Sequence, residues 1–136
     1  MYNSDEYIGQ WVKKRLPEIN LINFSALGVM KGAEVVAGII YHNFIPEYKN
    51  IEISMVATNP RWATKKILNQ LLSYPFNQLG CQRITTCIPS SNERAIKFNL
   101  GIGFRHEGTI RKGCGKEDMF VFGMLKTEAK RWGINV

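Results

Sequence analysis

The chain is poor in the residues that build cross-linked or metal-bound frameworks. It has three cysteines, Cys81, Cys87 and Cys114, an odd number without CxxC spacing, and two histidines, His42 and His106, far apart in sequence. Neither a disulfide framework nor a metal site is expected from that pattern. Long apolar runs are also missing. The longest, Val35 to Tyr41, is too short to span a bilayer, and the first residues lack the basic-then-apolar order of a signal peptide, so the expectation is a cytoplasmic protein without membrane contact. No repeat, low-complexity stretch or linker interrupts the 136 residues, which fit one domain over 1–136. Acidic residues are scarce: 11 Asp and Glu stand against 18 Lys and Arg, a net charge of +7. That balance favours an anionic partner such as a phosphorylated cofactor, a membrane surface or a nucleic acid. The basic residues are scattered in pairs such as Lys65 and Lys66 or Arg111 and Lys112 rather than gathered in a tail, and no nucleic-acid motif accompanies them.

What is present is an ordered series of elements. Tyr7, Ile8, Trp11, Val12 and Leu16 recur at helical spacing and predict an amphipathic helix from Ser4 to Leu16, stopped by Pro17. Phe24 to Met30 and Glu34 to Phe44 flank Lys31-Gly32-Ala33 and read as a hairpin. Ile51 to Ala57 is a further strand, ended by Thr58-Asn59-Pro60. A helix is predicted from about Arg61 to Leu79, kinked at Pro75 and capped by Gly80. Gln82 to Ile88 follows as a strand, and Ser91 to Gly101 as a helix capped by Ser91 or Asn92. Phe104 to Arg111 and Met119 to Leu125 are the closing strands. The unit from Ile51 to Ile88 is a right-handed βαβ crossover, so its strands should be parallel within an otherwise antiparallel sheet. The fold class is α+β, and ligands are expected where strand ends separate beneath a helix N-terminus.

One run is specific. Asn92 to Phe104 (NERAIKFNLGIGF), followed by Glu107-Gly108-Thr109-Ile110-Arg111 and then Asp118, resembles the N-x-x-A-x-x-F-Y-x-x-x-G-F, E-G-x-x-R, D signature of the GNAT superfamily of N-acetyltransferases. In that signature the chain resembles the branch that acetylates protein N-termini, such as the ribosomal-protein alanine acetyltransferases. The chain is similar as well to short phage-encoded members through Pro60-Arg61-Trp62 and the stretch Tyr74 to Cys81. The resemblance spans about Phe24 to Glu128 and implies a GNAT-like mixed sheet with helices on both faces. It also implies an acetyl-coenzyme A-dependent transfer to a primary amine, by direct attack in a ternary complex.

The same resemblance assigns roles residue by residue. Glu52 corresponds to the strand glutamate that serves as general base, although an exposed carboxylate at a strand's start accounts for it equally. The amides near Val56 and Ala57 correspond to those that polarise the thioester carbonyl. The family's pyrophosphate loop, Q/R-x-x-G-x-G/A, falls on Ala63, Lys66 and Leu68, which all depart from it. Free amides at that helix start, with Arg61, Thr64, Lys65 and Lys66, would still attract a polyanion, unless the lysines are simply a solvated face. Asn92 corresponds to the asparagine that contacts the coenzyme arm, or is a plain helix cap. The usual general-acid tyrosine aligns with Asn99, whose amide could hydrogen-bond a sulfur but cannot protonate it. His42, at the end of a central strand, is a secondary candidate for base or substrate contact, or a structural residue. Cys87 reads as core, Trp62 as packing, and Asp118 as a stabiliser of the last hairpin.

Two function classes remain open on these residues. One is the acetyltransferase, whose acceptor is unknown and which could form a homodimer through the exposed edge of the final hairpin. The other is a GNAT-fold protein without catalysis that binds a protein or a nucleic acid, motivated by Ala63, Lys66, Leu68 and Asn99.

Overall fold

The computed structural model describes residues 4–135. Helix α1 (Ser4–Arg15) places Ile8 and Val12 on one face, as its spacing predicts, and lays that face on a hairpin of β1 (Ser25–Lys31) and β2 (Glu34–Ile45). The close approach depends on two glycines opposite each other in the ladder, Gly28 and Gly38. A Cβ at Gly38 would stand 2.5 Å from Val12, and one at Gly28 would run into Ile8. Strand β3 (Asn50–Ala57) follows, then α2 (Lys65–Ser73), β4 (Arg83–Pro89), α3 (Glu93–Ile102), β5 (Arg105–Cys114) and β6 (Glu117–Leu125).

The six strands form one sheet in the order β1-β2-β3-β4-β6-β5, antiparallel except for the β3/β4 pair. This is the mixed α+β architecture that the element order predicts, with helices on both faces. One core, under α1, joins Ile8, Val12, Ile19, Val35 and Ile40. The larger core, on the opposite face, packs Ile39, Ile53 and Ile84 of the sheet against Leu68, Leu71 and Phe76. Period-two alternation along β2 and β3 sorts side chains between the two cores.

The crossover helix differs from its predicted span. It begins at Lys65 rather than Arg61 because Thr64 is extended (φ −73, ψ 164) and its hydroxyl accepts the Ile67 amide at 3.2 Å. Pro75 widens the far end instead of merely bending it: Tyr74–Gln78 form a π-helical turn, in which the Leu79 amide reaches the Tyr74 carbonyl at 3.0 Å. Gly80, at φ +71, ends the turn as predicted. Asn92 caps α3 by accepting the Ala95 amide at 3.2 Å, and Gly103 closes it at φ +115.

The feature that positions the site is an interruption in the sheet. β3 and β4 pair over only three positions, Asn50 with Arg83, Ile51 with Ile84 and Glu52 with Thr85. Beyond Glu52, β3 stays on β2 as far as Ala57, while β4 stays on β6 as far as Pro89. The two parallel strands therefore part, and α2 and α3 each start shortly after the C-terminal end of one of them.

Candidate functional site

On the α1 face of the sheet, beside the parting strands, lies an open cleft of about 860 Å³. Its floor follows from register. His42 of β2 is opposite Glu52 of β3, and Ile40 is opposite Ser54, so Glu52, Ser54 and His42 share one face. The His42 Nε2 and Ser54 Oγ lie 2.9 Å apart, with the Glu52 carboxylate 3.8 Å from the same nitrogen. The other carboxylate oxygen of Glu52 accepts from the Asn43 side-chain amide at 3.0 Å. Asn43 gets there because β2 bulges between His42 and Ile45, with Asn43 in the left-handed region at φ 51.

Electrostatics at the floor are set by burial. His42 exposes 9% of its surface, and burial lowers its pKa, a fall that the Glu52 charge opposes only in part. The ring is thus neutral near pH 7, and the 3.8 Å contact with Glu52 becomes an ion pair only on acidification. Burial likewise pushes the Cys87 thiol up to about 11, with smaller contributions from Glu52 and Cys114. Cys87 is only partly buried and lines the cleft with Cys114, which corrects its reading as a core residue. A protonated thiol there is a poor nucleophile.

Across the parting strands lies the start of α2. Lys65 and Lys66 are exposed, and their amides have no acceptor among the described residues, whereas the Ile67 amide is taken by Thr64. Arg61 is exposed too, its amide held by the Asn59 side chain at 2.9 Å. Of the residues at the departed glycine loop, Leu68 is in the core and Ala63 packs against it, leaving Lys66 facing solvent. At the two ends of β3, the Thr58 amide donates to the Val36 carbonyl on the β2 side, and the Lys49 carbonyl accepts from the Arg83 amide on the β4 side. Strand alternation then turns the Met55 and Ala57 amides into the gap and the Val56 amide toward β2.

Asn99 stands apart from the floor. It is 4% exposed, its Nδ2 donates to the Ala95 carbonyl at 2.8 Å, and its Oδ1 is buried without a partner among the described residues. Trp62 packs on Phe98 with ring centroids 5.4 Å apart, and Asp118 accepts the Lys112 amide at 3.0 Å in the last hairpin, both as their sequence context suggests.

The sequence reading missed Ser54, Asn43 and the wall formed by the α1–β1 loop. The alternation of Glu52, Ile53 and Ser54 could have shown that Glu52 and Ser54 share a face. Nothing in the sequence announced the bulge that brings in Asn43. The loop wall is held by Lys13, whose ammonium donates to the carbonyls of Pro17 at 3.3 Å and Ile19 at 3.0 Å.

Residues 2–123 match the family model of the GNAT acetyltransferase domain. The chain belongs to the GNAT family. Among GNAT relatives, the uncharacterized N-acetyltransferase YoaA of Bacillus subtilis is 26% identical over 82 residues, 58% of this chain, and the aligned segment spans 46% of YoaA. The chain thus covers less than half of that relative. A T. thermophilus protein assigned as an acetyltransferase matches with a TM-score of 0.70 at 24% identity, over 89% of this chain and 69% of that one. A mutant form of the spermidine/spermine N-acetyltransferase SpeG of Vibrio cholerae matches with a TM-score of 0.69 at 13% identity, over 92% and 80% of the two chains. At these identities the structural matches speak for the fold. Among the described residues, no helix is long and apolar enough to cross a membrane, and no cluster of His, Cys, Asp or Glu could hold a metal ion.

Proposed function

We propose that the chain transfers an acetyl group from acetyl-coenzyme A to a primary amine. The observation that carries this reading is the parting of β3 and β4 beyond Glu52, with unpaired amides and lysines on one side and a part-buried carboxylate–imidazole–hydroxyl cluster on the other. The Lys65 and Lys66 amides and ammonium groups suit a polyphosphate, and the backbone amides of Met55 and Ala57 suit an extended amide-bearing arm or a thioester carbonyl. The donor supplies an activated thioester. Its carbonyl carbon gains a C–N bond to the amine and loses its C–S bond, yielding an amide and a free thiol.

Glu52 is the group assigned to take the proton that an incoming ammonium must shed. Asn43 fixes one of its oxygens, leaving the other toward His42. Neutral His42 and the Ser54 hydroxyl form a second proton path at 2.9 Å. Asn99 takes the place of the family's tyrosine without a proton to give, so the leaving thiolate draws its proton from the solvent-connected cleft. Thr64 and Asn92 act by capping the helices whose N-termini face the donor. The signature from Asn92 to Phe104 favours the branch that acetylates protein N-termini.

The departures at Ala63, Lys66, Leu68 and Asn99 motivate the second reading, a GNAT-fold binding protein without catalysis. Calorimetric titration with acetyl-coenzyme A separates the two. Micromolar binding that falls at least about tenfold in Lys65→Glu/Lys66→Glu supports the enzyme. No heat at millimolar ligand leaves the binding protein.

A further inference from the structure

The acetyltransferase reading leaves the acceptor open, and the walls of the cleft bear on it. Among the described residues no lysine or arginine lines the cleft, although the net charge is +7. Two carboxylates do, Glu18 from the α1–β1 loop and Glu52 from β3. They reach the cleft from different elements: the Glu52 charge acts on Cys87, and the Glu18 charge acts on Cys114 after burial and the charge of Glu117. The basic group on the floor, His42, is neutral near pH 7 and adds no positive charge. The charged lining is thus acidic in a strongly basic protein, and the Lys13 ammonium that holds the loop is engaged by the Pro17 and Ile19 carbonyls; such a lining favours cations over carboxylates.

The mouth of the cleft is apolar. Ile22 is 63% exposed, Phe44 38% and Ile45 39%, and all three border the opening. Large apolar side chains left in water around one cleft mark a surface that a ligand covers. Leu16 and Met119, both partly buried, add to the apolar lining. An acceptor bound in this cleft at Glu52 therefore shares it with the Glu18 carboxylate and with apolar side chains along its border.

Resting on the acetyltransferase reading, we propose that the acceptor is a primary amine carried on an apolar arm with no carboxylate beside the amine. An alkylamine, or an amino terminus whose carboxyl is tied up as an amide, fits this description; a free amino acid does not. Glu18 is the residue that enforces the exclusion.

Leucinamide, leucine and glycinamide are the probes, with rates of coenzyme A release expressed per unit of free-base amine and acetyl-coenzyme A binding measured separately by calorimetry. Leucinamide should exceed leucine in kcat/KM by on the order of tenfold or more through charge, and glycinamide by a similar factor through its apolar arm. Glu18→Lys should narrow the leucinamide-to-leucine ratio by about tenfold, a comparison in which amine basicity cancels. Thermal melting of Glu18→Lys confirms that it folds. Equal kcat/KM values for leucine and leucinamide, a ratio unmoved in folded Glu18→Lys, or no turnover of any probe by a protein that binds acetyl-coenzyme A would each overturn the acceptor class alone. Absence of acetyl-coenzyme A binding would overturn the transferase reading and this inference with it.

Discussion

The Nε2 of His42 and the Oγ of Ser54 lie 2.9 Å apart on adjacent strands, with the Glu52 carboxylate 3.8 Å from the same nitrogen. Burial keeps that imidazole uncharged near neutrality, so its link to Ser54 is a hydrogen bond between neutral groups and its contact with Glu52 is dormant.

The stability consequence has a definite sign. The folded-state pKa of His42 is lowered below its ordinary 6.5, so the unfolded chain binds the extra proton first as the pH falls. Stability should therefore be lost from about pH 6.5 downward until the pH reaches the folded-state value. His42→Asn should flatten this stretch of a plot of Tm against pH between about 7 and 5, once carboxylate titration common to both proteins is subtracted.

Removing the proposed base while keeping its shape tests catalysis. Glu52→Gln should lower kcat by about 10²–10⁴-fold with acetyl-coenzyme A affinity nearly unchanged, because the carboxylate stands on the acceptor side of the parted strands. A loss of affinity equal to the loss of rate would assign Glu52 to donor binding instead.

Asn99 carries a buried oxygen with no partner among the described residues, which costs about 1–3 kcal/mol. Asn99→Leu removes that oxygen at similar volume. The variant should melt at a higher temperature in the absence of ligand. If bound donor supplies the missing hydrogen bond, the same variant should bind acetyl-coenzyme A more weakly, which calorimetry reads directly.

The glycine pair under α1 is a packing requirement. Gly38→Val puts a branched side chain where Val12 and Trp11 already sit and should destabilise the protein by about 1–3 kcal/mol or more, measured by urea unfolding. Gly32→Ala, at a hairpin turn with open space around it but φ +63, should cost less than Gly38→Val and leave α1 in place.

Much of this fold was legible because alternation and helical spacing act locally. Val35 to Tyr41 reads as a strand whatever lies elsewhere, and Asn92 declares the start of α3 through its own cap. The start of α2 was misplaced because Arg61, Trp62 and Ala63 suit a helix as well as a turn. Only the Thr64 hydroxyl, by taking the Ile67 amide, decides between them. At the site, Glu52 and His42 could be named separately, yet their pairing is a register between distant segments. Asn43 entered through a bulge, and Cys87 changed from core to cleft wall on the stretch of β4 that keeps β6 but has parted from β3. Periodicity cannot register a partner that is absent.

The short pairing between β3 and β4 also makes the molecule mechanically uneven. Two three-stranded panels, β1-β2-β3 and β4-β6-β5, share a seam of three residues on each side, with α2 in the connection between them. A seam that short is the softest line in the sheet, and the site straddles it. Any ligand that bonds to both panels becomes a staple. Amides near the seam should then exchange with solvent more slowly in its presence, even where the ligand touches none of them.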